Sequence, residues 1–146
     1  LVWFLTPQLT DTDFIMKRNI YIAFFCIFSL GLSAQNLDEI PGGISLALKA
    51  GSSSELMKYM NENVEMVILD KEGIYDKSQA EMILKDFFSK NPPRKFSLLH
   101  QGGKSESKYG IGDLETANDS FRVYFLLKEK AGKPLIHQFR IEKENE

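Results

Sequence analysis

Residues 78–93, SQAEMILKDFFSKNPP, carry their own start and stop signals. Ala80, Ile83, Leu84, Phe87 and Phe88 recur at i, i+3, i+4, i+7 and i+8. That spacing predicts one apolar stripe along an amphipathic helix. Ser78 and Glu81 match the S-x-x-E capping box, which would satisfy free backbone donors at the helix start. Asn91-Pro92-Pro93 ends the helix, because proline lacks the donor and clashes with the preceding turn.

Upstream of this helix, Ile40, Ile44, Ala47 and Leu48 form a shorter helical stripe. Asn36 or Asp38 would cap it, and Pro41 suits its first turn. Gly42-Gly43 weakens its start, and Gly51 ends it. Ser52 and Glu55 form another capping box, opening a second helix that carries Leu56, Tyr59 and Met60. Val64–Leu69 then alternates as a strand, with Val64, Met66 and Ile68 on one face and Val67 and Leu69 on the other. Asp70-Lys71-Glu72-Gly73 reads as a turn, followed by a strand fragment at Ile74-Tyr75.

Downstream, the period changes from 3.6 to 2. Strands are expected at about Arg94–Gln101, Lys108–Leu114, Phe121–Lys128 and Leu135–Glu142. Gly102–Ser105, Thr116–Asp119 and Lys130–Lys133 connect them. Each connection is rich in turn residues, which predicts an antiparallel meander. Helices first and strands last is an α+β pattern. Phe121, Val123, Phe125 and Leu127 share one parity, as do Leu135, Phe139 and Ile141, and that face should meet the helices. The opposite parity holds Arg122, Tyr124 and Leu126, with Ile136, Gln138 and Arg140. Such a mixed face fits either a homodimer interface, with Arg122, Tyr124, Gln138 and Arg140 as its candidate residues, or a solvated surface.

Residues 1–34 read differently. They hold 21 apolar residues, and Met16-Lys17-Arg18-Asn19 precedes an uncharged run from Ile20 to Leu32. Ser33-Ala34 supplies small residues for cleavage. This is the pattern of a secretory signal peptide over residues 16–34, with the cut after Ala34 or Ser33. A thirteen-residue helix spans about 20 Å, short of a hydrocarbon core of about 30 Å. No stable membrane anchor is therefore expected after cleavage. Residues 1–15 are expected to precede the true start at Met16, leaving residues 35–146 as one domain. A periplasmic or secreted location follows.

The full chain of 146 residues has a net charge of -2, which argues against a nucleic-acid partner. Cys26 and Trp3 both lie upstream of residue 35, so the expected mature domain has no thiol chemistry and no cysteine-held metal. No cofactor motif stands out. Gly110-x-Gly112 lies in a strand, lacks a third glycine and precedes no helix, so it marks a bulge or strong curvature instead of a dinucleotide site. Lys90, Arg94, Lys95, Lys104 and Lys108 are interspersed with acids and read as a solvated face.

Gln79-Ala80-Glu81 through Lys85-Asp86-Phe87-Phe88, Asn91-Pro92-Pro93, His100-Gln101-Gly102, Tyr109-Gly110-Ile111-Gly112 and Phe121-Arg122-Val123-Tyr124 resemble a family of small exported bacterial proteins of unknown function. The resemblance covers about residues 37–143. It implies a nuclear transport factor 2-like (cystatin-like) cone, with helices packed on a curved antiparallel sheet. It supplies no catalytic residues.

A cone of this kind keeps its pocket on the helix-facing side. By strand parity His100 falls with Phe96 and Leu98, and His137 with Leu135 and Phe139. Both imidazoles are thus candidate pocket residues, as acid–base or binding groups, with hydrogen-bonded core histidines as the other reading. Tyr109, Asp113 and Tyr75 complete the candidate pocket, because isomerases of this architecture pair an acid with tyrosines. No third histidine or carboxylate cluster completes a metal site. Three functions remain in play: binding of a small apolar ligand or an envelope protein, a small acid–base enzyme of isomerase or dehydratase type, and a dimerisation module. A pocket filled by Phe87, Phe96, Phe125 and Phe139 would count against the ligand and enzyme readings.

Overall fold

The computed structural model describes residues 39–104 and 106–144. The expected leader (1–15), signal segment (16–34) and cleavage sites lie outside the described residues. Three helices precede or interrupt the strands: α1 (Gly42–Ala50), α2 (Ser53–Met57) and α3 (Lys77–Lys90). The strands are β1 (Met60–Ile68), β2 (Lys71–Asp76), β3 (Pro93–Lys104), β4 (Ser107–Thr116), β5 (Ser120–Lys130) and β6 (Lys133–Lys143). They form one sheet in the order β2-β1-β6-β5-β4-β3.

Every neighbouring pair is antiparallel except β1 and β6, which run parallel. The sheet is therefore mixed, not antiparallel throughout. The β3–β6 meander returns its last strand beside β1, whose other edge is already taken by β2.

Two caps differ from expectation. Asp76, not Ser78, caps α3: its Oδ1 accepts from the Gln79 amide at 2.9 Å, and the Gln79 side chain accepts from the Asp76 amide. Asp-x-x-Gln does the same work as Ser-x-x-Glu two residues earlier. Pro41 occupies the cap position of α1, with no side chain capping it. Ser52 caps α2 as expected, accepting from the Glu55 amide at 3.3 Å. That helix stops at Met57, and Met60 opens β1 instead of ending a helix. Gly43 has a steric reason to be glycine, since a Cβ there would lie 1.8 Å from the Tyr59 hydroxyl.

The hairpins are tighter than the sequence suggests. Strand pairing runs to Lys104↔Ser107, so Gly102 and Gly103 are strand residues and not loop. Ile68 pairs with Lys71, leaving Leu69-Asp70 as a two-residue turn. Leu69 therefore sits in a turn and not on a strand face. Its φ is 56°, a left-handed value that glycine adopts more readily than leucine. A left-handed conformation costs an L-residue about 1–2 kcal/mol. At the β5–β6 turn, Ala131 and Gly132 both have positive φ, as a I′ turn requires.

The core lies between the helices and the inward sheet face. α1 packs on β3 and α2, while α3 lies against β1, β2 and α2. Phe121, Phe125 and Phe139 are fully buried with Ile44, Leu48, Leu56, Leu84 and Leu114. The Phe87 ring meets Phe121 edge-on, centroids 5.1 Å apart. The inward parity of β5 is as expected. In β6 it holds for Phe139 and Ile141 but fails at Leu135, because Ile136 is the buried residue there.

Candidate functional site

The interior of the cone is filled. Val123, Phe125, Leu127, Ile136, Phe139 and Ile141 join Ile40, Ile44, Leu48, Leu84 and Phe87 in one buried cluster, with Phe96 packed against it. Gly110 and Gly112 belong to this face. A Cβ on Gly110 would lie 2.4 Å from the Phe125 ring, and one on Gly112 would lie 2.5 Å from the Phe96 ring. The two glycines make room for rings; the β4–β5 register is unbroken beside them, while on the other side β3 bulges opposite Gly112 and Ile111.

Among the described residues, clefts open on the surface at these three places. One follows the β4–β5 turn to Lys143 and Glu144, and one lies at the β5–β6 turn. The third, of about 240 Å³, lies between the β1–β2 turn and α3, touching the core only at Ile68 and Phe87.

The expected pocket residues do not converge. A bulge at Leu99 shifts the β3–β4 register between Leu98 and His100. Leu98 pairs with inward Gly112, but His100 pairs with Ile111 on the opposite face and is exposed. A second bulge lies in β6. Leu127 pairs with Ile136 and Leu126 with Gln138, leaving His137 as the extra residue. His137 is half-buried, and its Nε2 is shielded without a hydrogen-bond partner. Desolvation, then the Lys128 and Lys130 cations, lower its pKa from 6.5. Tyr109 sits on the outward face, its ring over Gly102. Tyr75 pairs with Val64 and packs on the core from the edge strand. One signal for both bulges was present: Leu98-Leu99 and Leu135-Ile136 are apolar doublets that interrupt strand alternation.

Asp113 is outward as well. Arg122 Nε lies 3.0 Å from its Oδ1, and Arg122 Nη2 reaches Glu144. The Glu144 hydrogen bond and the Asp113 charge raise the Arg122 pKa against a smaller desolvation cost. A carboxylate held in this way is engaged by a cation on the sheet's outer surface, far from the role of a pocket base.

The outer face is what the strands do assemble. Arg122 lies across from Asp113 and Glu142, Tyr124 from Ile111 and Arg140, and Gln138 from Leu126 and Glu65. All four candidate interface residues are half-buried and share this face. Gln138 Nε2 donates to Glu65 at 2.9 Å, and Arg140 lies 3.7 Å from the same carboxylate. Lys95 pairs with Glu115 at 3.0 Å. Between these polar groups run Ile111, Tyr124, Leu126 and Leu135, each partly exposed. Among the described residues, no cluster of histidine, cysteine and carboxylate side chains suits a metal ion.

The sequence profile of a domain of unknown function, DUF4783, matches residues 42–142. The chain belongs to the DUF4783 family. A DUF4783 protein from Bacteroides ovatus ATCC 8483 is 44% identical, with a TM-score of 0.71 over 75% of this chain and 99% of that one. Another from Bacteroides uniformis ATCC 8492 is 40% identical, with a TM-score of 0.71 over 74% and 100%. The cone architecture is shared with the structure Rd1NTF2_04 with long sheet (TM-score 0.57, 14% identity, 68% of this chain and 93% of that one). This DUF4783 domain thus has the α+β class expected from its element order and the nuclear transport factor 2-like cone that the resemblance implies. No curated protein matches the chain.

Proposed function

We propose that this DUF4783 domain is a non-enzymatic binding domain of the cell envelope, and that its outer sheet face docks a second copy of the chain. The envelope location rests on the signal-like residues 16–34. The observation carrying the binding reading is the apolar stripe of Ile111, Tyr124, Leu126 and Leu135, set among charges already paired within the face. Docking such a face strips water from few uncompensated charges, which keeps the desolvation cost low. Both signs of charge occur on it, so a two-fold related copy is electrostatically acceptable. Four strands of β3–β6 length cover about 37 Å by about 19 Å, or about 700 Å² per copy, near the standard interface of about 800 Å². Phe87, Phe125 and Phe139, buried between helices and sheet with Phe96 packed against them, count against the small-ligand and acid–base readings.

Light scattering across a concentration series tests this. The parent chain should be a dimer, and Leu126→Glu should be a monomer that keeps the parent's folded circular dichroism spectrum. A parent that stays monomeric at the highest concentration overturns the proposal.

A further inference from the structure

The outer face of β3–β6 is charged unequally along its strands. Ile111, Tyr124 and Leu126 lie in its middle rows. Beyond Leu126 the next outward row is Lys104, Ser107, Lys128 and Leu135, and the row after it pairs Lys130 with Lys133. Neither row holds a carboxylate, and all four lysines are exposed. Among the described residues, Lys130 is the one of the four in an ion pair, with Glu62 of β1 at 3.9 Å. Glu106 lies in the β3–β4 turn, and Glu129 takes the inward parity.

Beyond Tyr124 the sign reverses. Asp113, Arg122 and Glu142 form one row, and Glu115 with Ser120 the next. The Glu144 amide bonds the Ser120 carbonyl at 3.1 Å, which adds a carboxylate to this end. Four carboxylates thus meet two cations, Arg122 and Lys95. Lys143 and Asp119 at the same margin pair with one another. Arg122 and Lys128 are about 20 Å apart along β5. That exceeds two Debye lengths at physiological salt, so neither end cancels the other.

A two-fold axis lying in the interface can run along the strands or across them. Along the strands, it sets lysines on lysines and carboxylates on carboxylates, which is repulsive. Across the strands, it sets each end on its opposite. The midpoint of Arg122 and Lys128 falls between Tyr124 and Leu126, so the same axis also lays the apolar stripe on itself.

We infer that the two copies pack with strands antiparallel across the interface, about a two-fold axis crossing β5 between Tyr124 and Leu126. The lysine end of each copy then meets the carboxylate end of the other. This rests on the proposed docking of a second copy and adds which ends meet.

Bis-maleimide cross-linking of single-cysteine chains tests the arrangement, with Cys26→Ser as the background of the full chain. Lys128→Cys and Glu142→Cys chains, mixed and allowed to exchange, should link to each other, and neither should link to itself. Lys128→Glu should weaken the dimer about tenfold in light scattering, because the two-fold axis repeats the loss of an exposed ion pair. An axis along the strands predicts the opposite: Lys128→Cys links to itself, and Lys128→Glu tightens the dimer. Either of those results in a dimeric parent, or no cross-link in the mixture, overturns the inference and leaves the docking of a second copy standing. A monomeric parent overturns both.

Discussion

Arg122 holds Asp113 across β4 and β5, Nε to Oδ1 at 3.0 Å, while its other end engages Glu144 beyond β6. One guanidinium therefore ties β5 to β4 and to the chain leaving β6. Both partners of the Arg122–Asp113 pair are partly exposed. Pairs so placed contribute about 0.2–1 kcal/mol. Asp113→Asn should lower the stability measured by urea unfolding by no more than about 1 kcal/mol. A much larger loss would mean that water does not screen this pair.

Gly110→Ala should be far more costly. The added methyl would meet the Phe125 ring at 2.4 Å and the Ile40 side chain at 3.0 Å, and Phe125 is fully buried. Overpacking of a filled core costs about 1–3 kcal/mol. Thermal unfolding of the variant checks this, and an unchanged midpoint would show that the ring has room to move.

The Asp76–Gln79 box should be worth an ordinary cap. Asp76→Ala removes the acceptor for the Gln79 amide, which should cost about 1 kcal/mol in urea unfolding. Ser78→Ala, at the position the sequence first suggests as the cap, should cost little.

His137 should make the fold acid-sensitive. Desolvation and the nearby Lys128 and Lys130 place its folded pKa below 6.5. Above pH 6.5 the imidazole is neutral in both states and contributes no pH dependence. As pH falls below 6.5, the unfolded chain takes up the proton first, and stability is lost until the folded pKa is passed. Replacing it by His137→Gln should flatten this part of the stability-versus-pH curve. Identical slopes for parent and variant would count against the shift.

Most of the fold was legible because its elements announce themselves locally. The α3 stripe, the Pro92-Pro93 stop and the alternation through Phe121–Leu127 each follow from one period and one boundary. Side-chain direction near the histidines was not legible. Parity counting assumes an unbroken ladder, and a single extra residue reverses it. The bulge at Leu99 put His100 outside, and the bulge at His137 left Leu135 on the wrong side of the count. The outer face survived this error at Arg122 and Tyr124, where β5 pairs with β4 in continuous register. Leu69 was unreadable for another reason. A leucine after Ile68 extends a strand pattern, and its left-handed turn shows only in the backbone.

The parallel β1–β6 pair has a consequence for the order of assembly. Among the described residues the last strand in chain order, β6, is third in the sheet, between the first hairpin and the rest of the meander. Until Lys133–Lys143 arrives, the growing polypeptide holds two fragments of sheet with no shared seam. Completion of the sheet therefore waits for Lys133–Lys143, and a chain cut short at the β5–β6 turn lacks the strand that joins its halves.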